Sequence, residues 1–387
     1  MLVSEQPCPA GDDLKAPAIE PAQESGRKSV REMTAEDVQS VAGLFLDRFR
    51  DRPARRSAAL EECLRAVLFR PEHASTVPPG LVAEARTGQL SGFVACAPQE
   101  MVWDGRRLQA NGGGTLMVAR RADPLTVTRL LRRWFALPHD LAYTDTASPM
   151  SAALLERFGA RLVPSLSLDW LLVRSRAGLA LRLGLDRARL RWLDRALGQT
   201  VATRSHPRPG RAARPVTFRS AEQEPDTLSA SLVALGAAYP IRPDWAGQPA
   251  PLLFRLGELR LRRRHGSFKA RVANGANGDP VALWLGHMAP GRVGQVTQAL
   301  AHPDAASAML DDIATQAGVV GCVAVRGRLQ PDLLGPLARR RALFLPRLAT
   351  LVQSPDADLL AACERGEAHL TGLAGETWSR LFDDVFD

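Results

Sequence analysis

The stretch GGGTLMVARRADPLTVTRLLRRWF, residues 112–135, decides the fold. Leu116, Met117 and Val118 end a strand. A turn follows, and from Leu125 to Phe135 the apolar residues recur at the spacing of an amphipathic helix. A strand that runs into a helix N-terminus is a common place to hold a phosphate, because backbone N–H groups and the helix dipole favour an anion there. Here the glycines precede the strand end, and the turn offers Arg120, Arg121, Ala122, Asp123 and Pro124. The arginines either grip phosphates by charge and bidentate hydrogen bonds or are exposed turn residues.

Working outward, the same alternation of strand and helix fills residues 29–176. A short strand leads to a helix opened by Thr34, with Asp37 three residues on as a capping-box partner. A second helix covers 57–68. A meander follows through LVAEAR and LSGFVACAPQEMVW, with Asp104–Gly105 as a hairpin turn. Beyond residue 135 come the strand LAYTD, the helix SPMSAALLERFG and a last strand in ARLVPSLSLDWLLVRS. Residues 216–387 repeat this order. A strand and helix open them, SFKARVAN and PVALWLGHMAP form a hairpin, and GRVGQVTQALAHP is a strand. A helix spans 304–317, CVAVRGRL is a strand, QPDLLGPLARRRA is a helix, and LFLPRLATLVQS is a last strand. Equal order without sequence identity predicts a structural duplication. Between the halves, 177–215 reads as a linker. It begins as an amphipathic helix with leucines at 179, 183, 190, 193 and 197 and ends as the flexible RSHPRPGRAARP. Residues 1–28 read as a disordered tail.

Composition bounds the chemistry. The 387 residues suffice for two domains, and no apolar run is long enough for a transmembrane helix. The N-terminus lacks the apolar region of a secretory signal. Five cysteines lie far apart without CxxC or HxxxH spacing, so no metal site is expected, and reduced thiols point to the cytoplasm. The net charge is +9, carried almost wholly by arginine, since lysine occurs only at 15, 28 and 269. Arg260–Arg271 is the densest basic run, but Phe268 is its lone aromatic for stacking on bases.

The element order resembles the GNAT acyltransferase superfamily over nearly all of residues 29–387, as two copies. The segments at 140–173 and 323–382 resemble a bacterial two-domain group of GNAT N-acetyltransferases. The resemblance implies an α/β fold with mixed sheets, as two tandem GNAT-like domains (29–176 and 216–387) joined by a basic linker. It also implies transfer of an acyl group, acetyl in the simplest case, from acyl-CoA to a small-molecule amine. In that family the fourth strand parts from the fifth and its backbone holds the pantetheine arm. The turn after it binds the pyrophosphate, a carboxylate takes the amine proton, and a tyrosine protonates the thiolate.

Carried onto this sequence, the cofactor-binding candidates are Leu116, Met117, Val118, Arg120, Arg121, Thr126 and Thr146. The strands part near Val118. Glu84 and Glu100 are candidate general bases, Asp145 ends a strand where substrate is contacted, and Tyr143 is a candidate acid. Each has a plain structural alternative: solvated strand carboxylates, a helix cap at Asp145 or Ser148, and packing at Tyr143. Tyr239 lies in a Pro-rich loop able to cover a pocket. The sequence departs from the family pattern. The turn has no glycine, the second half's turn offers Pro303, Asp304, Ala305 and Ala306, Leu155 stands at the usual tyrosine, Gln353 stands where histidine is usual, and LAGETW replaces an acidic, double-tryptophan ending. Two alternatives follow: a degenerate pair that binds a ligand without turnover, and a FemABX-like transferase using aminoacyl-tRNA through the basic run.

Overall fold

The computed structural model describes residues 30–49, 57–70, 77–187, 216–262, 264–382, 384 and 386. The tail 1–28 and the linker segment 188–215, with Leu190, Leu193 and Leu197, lie outside them. The first half contains β1 (Val30–Glu32), α1 (Val38–Phe49), α2 (Ala58–Leu68), β2 (Gly80–Glu84), β3 (Leu90–Trp103), β4 (Arg106–Val118) and α3 (Leu125–Phe135). It continues with β5 (Leu141–Ala147), α4 (Pro149–Glu156), β6 (Arg161–Leu162), β7 (Asp169–Val173) and α5 (Arg176–Arg187). The second half contains β8 (Phe218–Ser220), α6 (Pro225–Gly236), β9 (Ile241–Pro243), α7 (Pro249–Leu261), β10 (Ser267–Asn274), β11 (Pro280–Met288) and β12 (Val293–Ala301). It ends with α8 (Ala306–Val320), β13 (Ala324–Arg328), α9 (Leu334–Arg339), β14 (Leu343–Leu345), β15 (Ala349–Gln353) and α10 (Ala357–Glu364).

The strands form two mixed sheets of matching order. One runs β1-β2-β3-β4-β5-β15-β6, with β9 added on β3; the other runs β8-β10-β11-β12-β13-β7-β14. Each has one parallel pair, β4 with β5 and β12 with β13, among antiparallel neighbours. The fold class is therefore the mixed α/β class that the sequence implies.

The last strands differ from the sequence expectation. The segment 161–173 is not one strand but two: β6 stays in the first sheet, and β7 pairs with β13 in the second. The segment 343–353 divides in the same way: β14 stays in the second sheet, and β15 crosses to pair with β5 in the first. Pro164 and Pro346 stand at the two breaks. Proline lacks the N–H a continuous ladder needs and stops each strand after its first residues. Each half thus lends a strand to the other. Trp170 of β7 is fully buried in the second half's core, beside Trp284 and Met309.

Local sequence explains the elements that frame the cleft. Asp37 accepts the Thr34 N–H at 2.8 Å and pairs with Arg31 through both oxygens, which fixes the start of the α1 region. Asp104 and Gly105 both have positive φ (47° and 81°), the geometry of a tight two-residue hairpin that favours Asn, Asp and Gly. The glycines of β4 do not merely weaken the strand. A Cβ on Gly113 would overlap the Trp134 indole of α3, and one on Gly114 would overlap the Glu376 carboxylate.

Candidate active site

β4 and β5 pair only from Ala110 with Leu141 to Gly112 with Tyr143, although β4 runs on to Val118 and β5 to Ala147. The strands therefore part after Gly112, earlier than the expected point near Val118. The cause is a bulge. On the β3 side, Ala95 faces Gly114 but Phe93 faces Met117, and Thr115 takes a positive φ of 51°. The second sheet repeats the device: β12 and β13 pair only over Val293–Val296, and the β11–β12 register slips at Thr297. The two gaps face one cavity of about 480 Å³, lined by Gly112–Leu116 from one and Gln295–Thr297 from the other.

The C-terminal segment threads past both gaps. Gly372 lies against Thr297 and Gln298, and the Leu373 N–H donates to Gln298 Oε1 at 3.0 Å. Glu376 then reaches the first gap. Thr146 Oγ1 donates to its Oε2 at 2.8 Å and Thr144 Oγ1 to its Oε1 at 3.2 Å. Its own N–H donates to Asp145 Oδ1 at 2.9 Å. Gly375 is required here, because a Cβ would overlap the Asp145 carboxylate. Two arginines hold the segment down: Arg255 donates to Leu373 O at 2.7 Å, and Arg262 donates to Thr377 O and Phe382 O.

Electrostatics follow from burial. Asp145 is fully buried, and its pKa is raised by desolvation, against the pull of Arg328. Glu376 lines the cavity, and its pKa is raised by burial and then by the charge of Asp145; the two threonine hydroxyls oppose this. Two neighbouring carboxylates cannot both ionise freely, so ionising Asp145 disfavours ionising Glu376. Tyr143 lines the same cavity, but its hydroxyl donates to Ala374 O at 2.6 Å, and burial pushes its pKa up.

The expected site residues divide into two groups. Tyr143, Thr146 and Leu116 line the cavity, and Asp145 sits behind it, accepting the Glu376 N–H. Ser148, not Asp145, caps α4, accepting the Ser151 N–H at 3.2 Å. The others are not brought there. Glu84 accepts Arg31 Nε at 2.7 Å at the far side of β2. Glu100 lies where β3 pairs with β4 and its carbonyl accepts from Asp244, away from the cavity lining. Met117 is buried under α1 and α2, and Val118 packs beneath α3. Thr126 is buried with its methyl facing Gly92. Arg120 is held by Asp47 on α1, and Arg121 lies outside the cavity lining. The turn's amides are also taken: Asp123 Oδ1 accepts the Leu125 N–H, and Asp123 O accepts the Thr126 N–H. Tyr239, expected in a covering loop, is buried on α6 and α7 with its hydroxyl toward Gln330.

Sequence reading missed Glu376, Thr144 and the second half's Gln295, Arg326 and Arg328. The signal for Glu376 was the altered ending LAGETW, noted there only as a departure.

Two solved structures share this architecture. A probable N-acyltransferase from Enterococcus faecalis superposes with a TM-score of 0.54 at 12% identity, covering 85% of this chain and 73% of that one. A GCN5-related N-acetyltransferase from Anabaena variabilis gives 0.53 at 10%, with the same coverage. The chain has the GNAT fold. At these identities the likeness shows the fold alone, and function must come from the site. No protein-family model matches the chain, and no curated protein does. Among the described residues, no helix of this GNAT-fold chain is long and apolar enough to cross a membrane, and no cluster of His, Cys, Asp or Glu is placed to hold a metal.

Proposed function

We propose that the chain is an acyl-CoA-dependent N-acyltransferase, acetyl-CoA being the simplest donor, which acts on a small-molecule amine in the first half's gap. The observation that carries this reading is the parting of β4 from β5 at the Thr115 bulge, opening on a cavity. Strand groups released from pairing between Gly113 and Leu116 are suited to a thioester arm, because unpaired main-chain N–H and C=O groups need partners. Leu116 and Thr146 flank that arm in this reading.

Glu376 takes the amine proton. Its raised pKa suits a base working near neutrality, where driving force and correct protonation are balanced. Asp145 and the hydroxyls of Thr144 and Thr146 orient it. The amine nitrogen attacks the thioester carbonyl carbon, the C–N bond forms and the C–S bond breaks. The proton taken by Glu376 returns to the leaving thiolate, so the carboxylate is regenerated. Tyr143 holds Ala374 and so the tail that carries Glu376. A bacterial cytoplasmic setting belongs to the same proposal, and the buried free thiols Cys63, Cys96, Cys322 and Cys363 fit it.

Two observations favour a second reading. Glu376 is seated within the gap, and the amides after β4 are satisfied internally, as in a pair that holds a ligand without turnover. The tRNA-using reading has less support, since Arg260, Arg262 and Arg271 of the basic run bind Glu222 O, the C-terminal segment and Asp312. The test is a thermal-shift series with acetyl-CoA, CoA and tRNA, followed by release of free CoA thiol with a panel of amines. A raised Tm with acetyl-CoA and amine-dependent thiol release are expected. A raised Tm without thiol release favours the binding pair. Salt-sensitive tRNA binding without a CoA response overturns the acyl-CoA reading.

A further inference from the structure

If the acyl donor is a CoA thioester, its diphosphate needs a cationic seat, and the usual helix terminus is closed. The carboxylate of Asp123 sits on the first amide of α3, accepting Leu125 N–H at 3.0 Å, and the Asp123 carbonyl takes the next one at 2.9 Å. A diphosphate there would meet a carboxylate where it needs donors. Arg129 lies 3.5 Å from that same carboxylate, and Arg120 is turned toward Asp47.

The cavity is lined also by Thr146, Ala147, Ser148 and Ser151, at the end of β5 and the start of α4. Also lining it are Arg326 and Arg328 of β13 and Arg347 just before β15, all from the second half, and Asp169 of the exchanged strand β7. Arg326 and Arg328 are two residues apart on one strand and share a face. Arg328 and Arg347 share the Asp169 carboxylate, and Arg326 stands beside them without one among the described residues. Arg328 is already committed, at 3.3 Å to Asp169, at 2.8 Å to Leu348 O, and to Asp145 O. Arg326 is bonded to a neutral group, Gln295 Oε1. Arg347 is 48% exposed and only 3.9 Å from Asp169, which Arg328 shares. Among these three arginines, the charge least matched by a carboxylate is that of Arg326 and Arg347.

We propose that Arg326 and Arg347 hold the diphosphate of the acyl carrier, across the junction of the two halves, in place of the N-terminus of α3. This rests on the acyl-CoA reading above. Planar guanidinium groups match phosphate oxygens in pairs, which is the geometry such a seat requires. The strand exchange explains how the seat arises, since β7 brings Asp169 and the approach to β15 brings Arg347 to the mouth of the first gap. A second half without its own reaction would be retained for this grip.

The experiment compares acetyl-CoA with S-acetyl-pantetheine, which carries the same thioester arm without the diphosphate. Binding by calorimetry and steady-state KM are measured for wild type, for the Arg326→Ala/Arg347→Ala variant, for the single Arg347→Glu variant and for Arg120→Ala/Arg121→Ala. The expected result is a loss of acetyl-CoA affinity of about tenfold or more in both Arg347-containing variants, from lost charge-assisted hydrogen bonds. KM for S-acetyl-pantetheine stays unchanged in them, and Arg120→Ala/Arg121→Ala binds acetyl-CoA as wild type does. Equal losses for both thioesters would mean a structural role and overturn the assignment. Loss confined to the Arg120/Arg121 variant would return the diphosphate to α3 and overturn it too. Wild type that binds neither thioester would overturn the acyl-CoA reading itself.

Discussion

The Glu376 carboxylate lies against Gly114, in the space that a Cβ at that position would take. The contact joins the C-terminal segment to the bulged strand of the first sheet, and it makes a glycine in the middle of a strand a requirement of the site. Gly114→Ala should therefore expel Glu376. Overpacking of a close contact costs about 1–3 kcal/mol, and with Glu376 as the proposed base its displacement should remove turnover. Chemical denaturation checks the first effect and thiol release the second. Combining Gly114→Ala with Glu376→Ala should give a stability loss smaller than the sum of the singles, since both act on one contact. Strict additivity would show that the two residues do not meet.

The carboxylate pair sets a pH dependence with a definite sign. Glu376 has a folded-state pKa raised above its ordinary value of 4.5 by burial and by the charge of Asp145. A raised acid contributes stability that is full below the unfolded value and is lost as pH rises through the folded one. Wild type should lose stability on going from mildly acidic to alkaline pH, and Glu376→Gln should flatten that slope. Arg255 and Arg328 are among the cations that line the same cavity. In activity the sign reverses: a base works only when ionised, so with Glu376 in the proposed role the rate should rise with pH along a limb displaced above the usual carboxylate range. A limb at the ordinary carboxylate position would remove Glu376 from the role of base.

Buried histidine gives the opposite sign. His369 is fully buried, between Tyr239 at 5.2 Å and Trp245 at 5.5 Å. Burial, with the nearby Arg255 charge, lowers its pKa from 6.5 to about 4. A lowered base contributes stability present above the unfolded value and lost as pH falls through the folded one. Acidification from 6.5 to 4 should loosen the C-terminal segment, by on the order of 3 kcal/mol at full protonation. His369→Phe should remove most of that acid sensitivity, measured as the Tm difference between pH 7 and pH 4.5. An unchanged difference would assign it to other groups, His287 first among them, since it is lowered in the same way.

The order of elements was legible because it rests on local signals. The Thr34–Asp37 cap, the Asp104–Gly105 turn and the apolar stripe of α3 each act within a few residues. The strand exchange was not legible. Pro164 and Pro346 mark the breaks, but which sheet a strand joins depends on the partner's edge, and β7 has the same apolar pattern in either place. The site was half legible for a similar reason. Tyr143, Asp145 and Thr146 sit on β5, so fold analogy found them. Glu376 sits in a segment without regular structure, and only contacts more than 200 residues away along the chain give it a role. Arg120 and Arg121 were drawn from the turn's place in the fold, whereas Asp47 and Asp123, which decide its chemistry, act through side-chain geometry.

The exchanged strands predict how the molecule unfolds. β15 completes the first sheet beside β5, and β7 completes the second beside β13, so neither half can close its core alone. Trp170 is the sharpest probe. It belongs to the first half by sequence, yet it is 0% exposed inside the second half's core, with its indole N–H donating to Arg328 O at 3.2 Å. Gly327 is glycine because a Cβ there would press on this ring. Trp170→Ala should cost about 3–5 kcal/mol, as large aromatic truncations in a packed core do. The loss should lower a single calorimetric transition for the whole chain, because removing one exchanged strand unseats the gap on both sides. Two separate transitions, with only one shifted by the substitution, would show that the halves fold independently and that the exchange does not couple them.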